Sequence, residues 1–465
     1  MNGRQRDISV HSARKDVKIF AKFFIIMVKE KFSASRREMS VEKQGGKKVR
    51  KNKQQIACDW MYENYVAFGR LRFDVVSQKV QIRQESQIGG YTIEEWTDIT
   101  DRDINKMICD CCNDPTGGHV SNKQVLTVLK AGDPYIPEVH PLRDYLNSLT
   151  PYNPYSGDWI DQLAQHVRVK VEDPKDFELL DSRWRICFKK WFVGMVATWM
   201  DDNVVNHQVL VLVGKQGIFK TTWLESLLPP HLRRYCCKMA NPHHMNKDER
   251  LRIAEFALVN FDELESLNPK GLGEVKSIIT ASDVNERGAW GYTKERRLRL
   301  ASFCASTNNR RFLSDITGNR RWLPFEIENI KDPHYTVIPY SYVYAQAKYL
   351  VETGFNYWFD LDDIAALEEH NEDYRSQDCE EQLIPLVFEI PAEGKGEFMT
   401  TAEIRSMLRD TFNIATPINV EQLGIIMGRL NFPKACPRIM GKKTRGWYVY
   451  KRSPEEIAAL KRTLR

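Results

Sequence analysis

The sequence predicts an α/β fold built on a parallel sheet, with a mixed α+β region before it and a small basic domain after it. Three segments carry this reading. Residues 209–222 read Val-Leu-Val-Leu-Val-Gly-Lys-Gln-Gly-Ile-Phe-Lys-Thr-Thr: an apolar strand, a glycine turn, then a helix-like stretch from Trp223 to Leu228. Residues 257–263 form a second apolar strand that ends in Asp262 and Glu263. Residues 300–308 form a third that ends in Asn308. Continuous apolar runs mark parallel strands buried on both faces, and ligands gather at their carboxyl ends.

The first segment is a phosphate-binding loop, so the expected core is a P-loop NTPase with ATP and Mg²⁺ as cofactors. Gly214, Lys215, Gln216, Gly217, Ile218 and Phe219 would cradle phosphates with backbone N–H groups, followed by Lys220, Thr221 and Thr222. Lys220 would reach the β and γ oxygens and Thr221 would serve the metal. The loop departs from the usual pattern at Phe219, which stands where a second glycine is expected and resists the positive φ that glycine allows. Asp262 would be the second metal residue, usually through water, Glu263 would orient or deprotonate an attacking water, and Asn308 could sense the γ-phosphate or position that water. The pair Arg320 and Arg321, next to a Gly-Asn turn, are candidate arginine fingers, and the sequence does not separate them.

Composition excludes several classes. The chain has 465 residues, with 28% charged and 42% hydrophobic, which suits a soluble protein of two or three domains. Ten cysteines lie without a disulfide-like framework, which points to a reducing cytoplasm. Cys109 and Cys112 have the spacing of a zinc pair, but no second pair accompanies them. Adjacent Cys236 and Cys237, with His243 and His244 nearby, suit one tetrahedral ion poorly, so buried thiols are the reading. Phe20 to Val28 is the most apolar run, yet Lys22 interrupts it and it is too short to span a bilayer, so no membrane partner is expected. No small-residue cleavage site follows it, and Met1, Met27 and Met39 all remain possible starts.

Charge is segregated. The net charge is +6, but residues 1–55 carry 16 Lys/Arg against 5 Asp/Glu, and residues 398–465 carry 13 against 5. An acidic middle between two basic ends suits an anionic polymer as partner.

The expected organisation follows. Residues 1–55 form a basic disordered tail and 56–135 a mixed α+β region, with strands at 71–75 and 80–83 and helices at 101–112 and 122–129. Residues 136–203 form a helical subdomain, in which Trp184, Phe188, Trp191, Phe192, Met195 and Trp199 fall at helical spacing and read as core. Residues 204–330 are the ATPase core and 331–397 a helical connector with helices at 340–352 and 361–369. Residues 398–465 are a winged-helix-like basic domain. In that last domain, Thr400 with Glu403 and Asn419 with Gln422 open two helices, and residues 438–450 give two strands around a basic glycine turn.

Several blocks together bring out a resemblance: His140-Pro-Leu-Arg-Asp-Tyr-Leu, Trp191-Phe-Val-Gly-Met-Val-Ala, Gly214-Lys-Gln-Gly, Phe261-Asp-Glu-Leu and Thr317-Gly-Asn-Arg-Arg-Trp. From about residue 140 to 325 the chain resembles the virulence-associated protein E family. These P-loop proteins of phages and mobile elements look related to superfamily-three helicases and phage/plasmid primase-helicases. The resemblance implies an ATPase that assembles as a homo-oligomeric ring, six-membered in such relatives, and acts on single-stranded or replication-fork DNA. It implies that Arg320 or Arg321 acts across a ring interface. It also places a DNA-gripping loop between the acidic strand and the Asn strand, where Arg287, Lys294, Arg296 and Arg297 would follow phosphates and Trp290 or Tyr292 would stack on bases. Lys442, Lys443 and Arg445 of the C-terminal turn would touch phosphates as well. Two rival readings stand beside this one: a non-hydrolysing DNA-binding scaffold crippled by Phe219, and a winged-helix DNA-binding regulator.

Overall fold

The computed structural model describes residues 51–88, 91–239, 250–251, 253–262, 264, 269–286, 295–313, 319–375, 379–392, 396–412, 419–439 and 441–457. Glu263, Arg287, Trp290, Tyr292, Lys294, His243, His244, Thr317 and residues 1–50 of the N-terminal tail, including Phe20 to Val28, lie outside the described residues, whereas Lys53 to Gln55 of that tail are not disordered but open a helix capped by Asn52.

The first unit holds helix α1 (Lys53–Met61), strands β1 (Leu71–Asp74), β2 (Lys79–Ile88) and β3 (Tyr91–Asp98), helices α2 (Asp101–Asn113) and α3 (Asn122–Leu129), and strand β4 (Glu138–Val139). The strands form one sheet in the order β3-β2-β1-β4. Strand β3 was not expected from the sequence. Its residues Thr92, Glu94, Glu95 and Thr97 are polar, and what fixes it is the long antiparallel pairing with β2 rather than an apolar pattern.

Helix α4 (Pro141–Ser148) opens on His140, whose ring Nδ1 accepts the Arg143 N–H at 3.3 Å. Pro141 at its first position has no N–H to leave unsatisfied. After α5 (Trp159–Ala164) and β5 (Val167–Val169) comes α6 (Phe177–Met200), the longest described helix. Its aromatic stripe is buried as core: Trp184, Phe188, Trp191, Phe192 and Trp199 are at most 1% exposed. The indole N–H of Trp191 donates to the carbonyl of Phe303 in the central sheet at 3.0 Å, which fixes the helix against the strands.

That sheet contains β5, β6 (Val209–Val213), β7 (Cys236–Met239), β8 (Leu258–Asp262), β11 (Ser302–Thr307) and β12 (Trp322–Ile330), in the order β5-β12-β6-β11-β8-β7. All pairs are parallel except β12 with β5. Two apolar layers cover it. Leu210, Leu212, Cys304 and Phe325 face α6, helix α7 (Lys220–Glu225) and α9 (Tyr340–Glu352). Val209, Val211, Phe261 and Phe303 face α8 (Pro269–Thr280). Alternation along each strand accounts for the split. It also explains the adjacent cysteines, since Cys236 joins the first layer and Cys237 the second. Burial pushes the Cys236 thiol up to about 12, so it stays neutral.

Strands β9 (Asp283–Glu286) and β10 (Glu295–Leu298) form a separate antiparallel pair, and α10 (Leu361–Asn371) follows α9. Helix α7 is shorter than the stretch expected to reach Leu228, because Pro229 and Pro230 force the chain into an extended and then a 3₁₀ conformation.

The C-terminal unit packs α11 (Cys379–Val387), α12 (Thr401–Phe412) and α13 (Val420–Arg429) against β13 (Phe388–Glu389), β14 (Glu397–Met399), β15 (Lys434–Ala435) and β18 (Gly446–Lys451). Helix α12 has the expected capping box: Thr400 Oγ accepts the Glu403 N–H at 3.2 Å while Glu403 accepts the Thr400 N–H at 2.7 Å. The expected two-strand hairpin over 438–450 is corrected. Arg438–Ile439 (β16) pairs with Lys442–Lys443 (β17) around Gly441, whose φ is +81°, and β18 leaves the hairpin to pair with β13, β14 and β15. Burial of Trp447 and Val449 in the core of this unit draws β18 away.

Candidate nucleotide site

The parallel register places the three motif strands side by side with β11 between β6 and β8. Thr307 lies opposite Val213, and Ser306 lies opposite Asp262. The loop after β6 therefore faces the ends of both other strands.

The loop turns at Gly217, with φ of +86°, and again at Phe219, with φ of +65°. Phe219 thus takes the left-handed conformation that glycine would supply, at a cost of roughly 1–2 kcal/mol. Its ring packs edge-on against His334 with centroids 6.2 Å apart, and its carbonyl accepts the Trp223 N–H at 2.8 Å to start α7. The loop forms despite the missing glycine. Gly214 is needed for a different reason: a Cβ there would meet the Ile327 carbonyl at 2.9 Å.

Lys220 is buried at the centre of the loop. Its Nζ donates to the carbonyls of Gly214 at 2.6 Å and Lys215 at 2.7 Å, and to Oδ1 of Asn308 at 3.0 Å. A small oxygen-rich cluster lies beside it. Thr221 Oγ1 is 3.1 Å from both Asp262 Oδ1 and Ser306 Oγ, and Ser306 Oγ donates to Asp262 Oδ1 at 2.7 Å. Lys238 Nζ lies 2.7 Å from Asp262 Oδ2. Burial would raise the Asp262 carboxyl, but the Lys238 charge and the donors on Lys238, Ser306 and Thr221 outweigh it and hold it below the usual range. A carboxylate with two hydroxyls is an all-oxygen set, and it fits a hard cation such as Mg²⁺ that keeps several waters. Gln216, Gly217, Phe219, Thr222 and Thr307 complete the walls of a cleft of about 310 Å³.

Arg320 and Arg321 are not brought to this cleft. Trp322 lies opposite Val209 and Glu326 opposite Val213. The arginines therefore stand at the amino end of the strands, a strand length of roughly 17 Å from the loop at about 3.3 Å per residue. They line a second cleft with His207, Tyr357 and Trp358. Burial holds the His207 ring below its ordinary range, helped by Arg299, Arg321 and Arg320. Asn371 Nδ2 holds the turn before β12 by donating to the carbonyls of Asn319 at 2.8 Å and Trp322 at 3.1 Å.

Of the expected DNA-contacting residues, Arg296 and Arg297 lie on β10. Arg296 Nε is 2.8 Å from Asp283 and Arg297 Nη1 is 3.0 Å from Glu255. Lys442, Lys443 and Arg445 are exposed around Gly441.

Sequence reasoning missed three residues. Ser306 is two positions before Asn308, hence on the same face of β11. Lys238 sits on β7, a strand obscured by its cysteine pair. Arg299 is buried, with its guanidinium donating to the carbonyls of Ala281 at 2.6 Å and Ile279 at 2.9 Å at the end of α8. Burial pushes its pKa down to about 9.

No curated protein matches the chain in sequence. Among solved structures, the chain is similar to the apo NrS-1 C-terminal region at 12% identity and TM-score 0.39, with 86% of this chain and all of that one covered. The A form apo structure of that region gives 12% identity and TM-score 0.40, covering 84% of this chain and 99% of that one. A RuvB point mutant of Thermotoga maritima gives 11% identity and TM-score 0.23, covering 59% and 94%. Likeness at this level adds nothing to the geometry already described. A family model does match, and it spans residues 172–376. That stretch matches the virulence-associated protein E-like domain, with the loop, the acidic strand and the Asn strand all inside it.

Proposed function

We propose that this protein is a Mg²⁺-dependent ATPase that couples hydrolysis to DNA binding or translocation in the replication of a phage or mobile element, in the manner of a helicase. The observation that carries this reading is the junction of Lys220, Thr221, Ser306, Asp262 and Asn308 at the carboxyl ends of three adjacent parallel strands. Lys220 would leave the Gly214 and Lys215 carbonyls for the β- and γ-phosphates, and the loop N–H groups would hold the rest. Mg²⁺ would supply charge neutralisation when bound, held by Thr221 and, through water, Asp262. Asn308 would orient the γ-phosphate and Glu263 the attacking water. Phe219 in its left-handed conformation supports an intact loop over a crippled one.

Arg320 and Arg321 lie too far from the loop of their own chain to touch its nucleotide. Their placement supports a ring in which one of them completes the neighbour's site. The hairpin of β9 and β10, with Arg296 and Arg297 and the segment that joins them, is the DNA grip of this reading. The C-terminal unit with Lys442, Lys443 and Arg445 is a winged-helix-like second contact.

Coupling has a thermodynamic signature: if DNA promotes nucleotide binding, nucleotide must strengthen DNA binding by the same factor. Anisotropy of a labelled single strand, with and without a non-hydrolysable ATP analogue, tests it. An affinity that changes with the analogue in wild type but not in Lys220→Ala is the expected result. Identical DNA affinity in every condition would remove the coupling.

A further inference from the structure

The loop and metal residues account for Asp262, but not for the lysine bound to it. Both Asp262 oxygens are taken: Oδ1 accepts the Thr221 and Ser306 hydroxyls, and Oδ2 lies 2.7 Å from Lys238 Nζ. The hydroxyls are compatible with a bound cation, since they can turn their lone pairs toward it. The ammonium is not, because it puts a positive charge where a dication must approach.

We propose that Lys238 guards the metal position: it neutralises Asp262 and must be displaced for Mg²⁺–nucleotide to bind. This rests on the nucleotide reading above and adds a residue to it. Three features make displacement feasible. Lys238 lies on β7, the terminal strand of the sheet, and its side chain is 49% exposed. The backbone of β7 is held from upstream, so the side chain moves while its root stays. Tyr235 Oη donates to buried Asp74 at 2.6 Å, and Arg234 Nη1 donates to the Trp96 carbonyl at 2.9 Å, both on the N-terminal sheet. An alternative partner is at hand in Glu225, on the helix that begins with Lys220. Burial raises its carboxyl, while Lys238 and Asp262 act on it with opposite sign. Metal entry at Asp262 would shift Lys238 toward Glu225. The same strand connects the N-terminal sheet to the metal position.

The test is equilibrium binding of a fluorescent ADP to the full chain, titrated with Mg²⁺, with no turnover involved. Lys238→Met keeps the stem and removes the charge. It should lower the Mg²⁺ concentration for half-saturation about tenfold, the size of effect expected when one neighbouring charge is removed. Lys238→Arg should stay near wild type, and Glu225→Gln should raise the Mg²⁺ requirement. An unchanged Mg²⁺ midpoint in Lys238→Met, with nucleotide still bound, overturns this inference and leaves the nucleotide reading standing. Failure of wild type to bind the fluorescent ADP at any Mg²⁺ concentration overturns the nucleotide reading, and the inference with it.

Discussion

Lys220 donates to Asn308 at 3.0 Å and so joins the phosphate loop to the end of the neighbouring strand. Asn308 therefore already touches the cation that would meet the γ-phosphate. Asn308→Ala should leave nucleotide affinity within about threefold and lower turnover at least tenfold, because a sensing contact acts chiefly in the transition state. Separate measurement of Kd and kcat distinguishes this from a general loss of binding.

Phe219 pays for its left-handed backbone with strain but gains a contact with His334. Phe219→Gly relieves the strain, loses the contact and loosens the unfolded chain, so stability should change by no more than about 1 kcal/mol. Urea unfolding measures the change. Wild type should turn over ATP without this substitution. Activity present only in Phe219→Gly would mark the natural loop as crippled.

His140 caps α4 as a neutral ring, and burial, then Arg143, pushes its pKa down to about 4. The unfolded ring binds a proton near pH 6.5, so between these values the unfolded state holds more protons than the folded one. Stability should therefore be complete above pH 6.5 and fall as pH drops toward 4, by up to about 3 kcal/mol. His140→Asn keeps a capping side chain and removes the titration. Comparing urea midpoints at pH 5 and pH 7.5 should show a smaller acid loss in the variant. Equal losses would assign the acid sensitivity elsewhere.

The arginine pair stands at the opposite end of the strands from its own loop, which yields a mixing prediction. Arg320→Ala or Arg321→Ala should keep nucleotide binding and lose turnover. Mixed in equal amounts with Lys220→Ala, the arginine variant that matters should regain activity, since about a quarter of the interfaces then combine an intact loop with an intact arginine. No recovery with either variant contradicts action across an interface.

How much of this could be read from the sequence depends on how local each cause is. Strands β6, β8 and β11 were legible because buried parallel strands read as mostly apolar runs, which here end in polar tips. The aromatic stripe of α6 was legible because its period is local. Strand β3 was not, since its polar residues are paired by β2 rather than by an apolar face. The hairpin expected over 438–450 failed because the burial of Trp447 and Val449, set by distant helices, decides where β18 pairs. At the site, Lys220, Thr221, Asp262 and Asn308 announced themselves at strand ends. Ser306 and Lys238 did not, because what makes them relevant is the order β6-β11-β8-β7, and strand order is not written in any one segment.

The central claim is that the loop is a working phosphate cradle, and steady-state phosphate release from Mg²⁺-ATP, with and without single-stranded DNA, tests it most directly. Wild type should release phosphate, DNA should stimulate it, and Lys220→Ala should lower it at least a hundredfold. Release equal in wild type and Lys220→Ala, or none in either, would contradict the account.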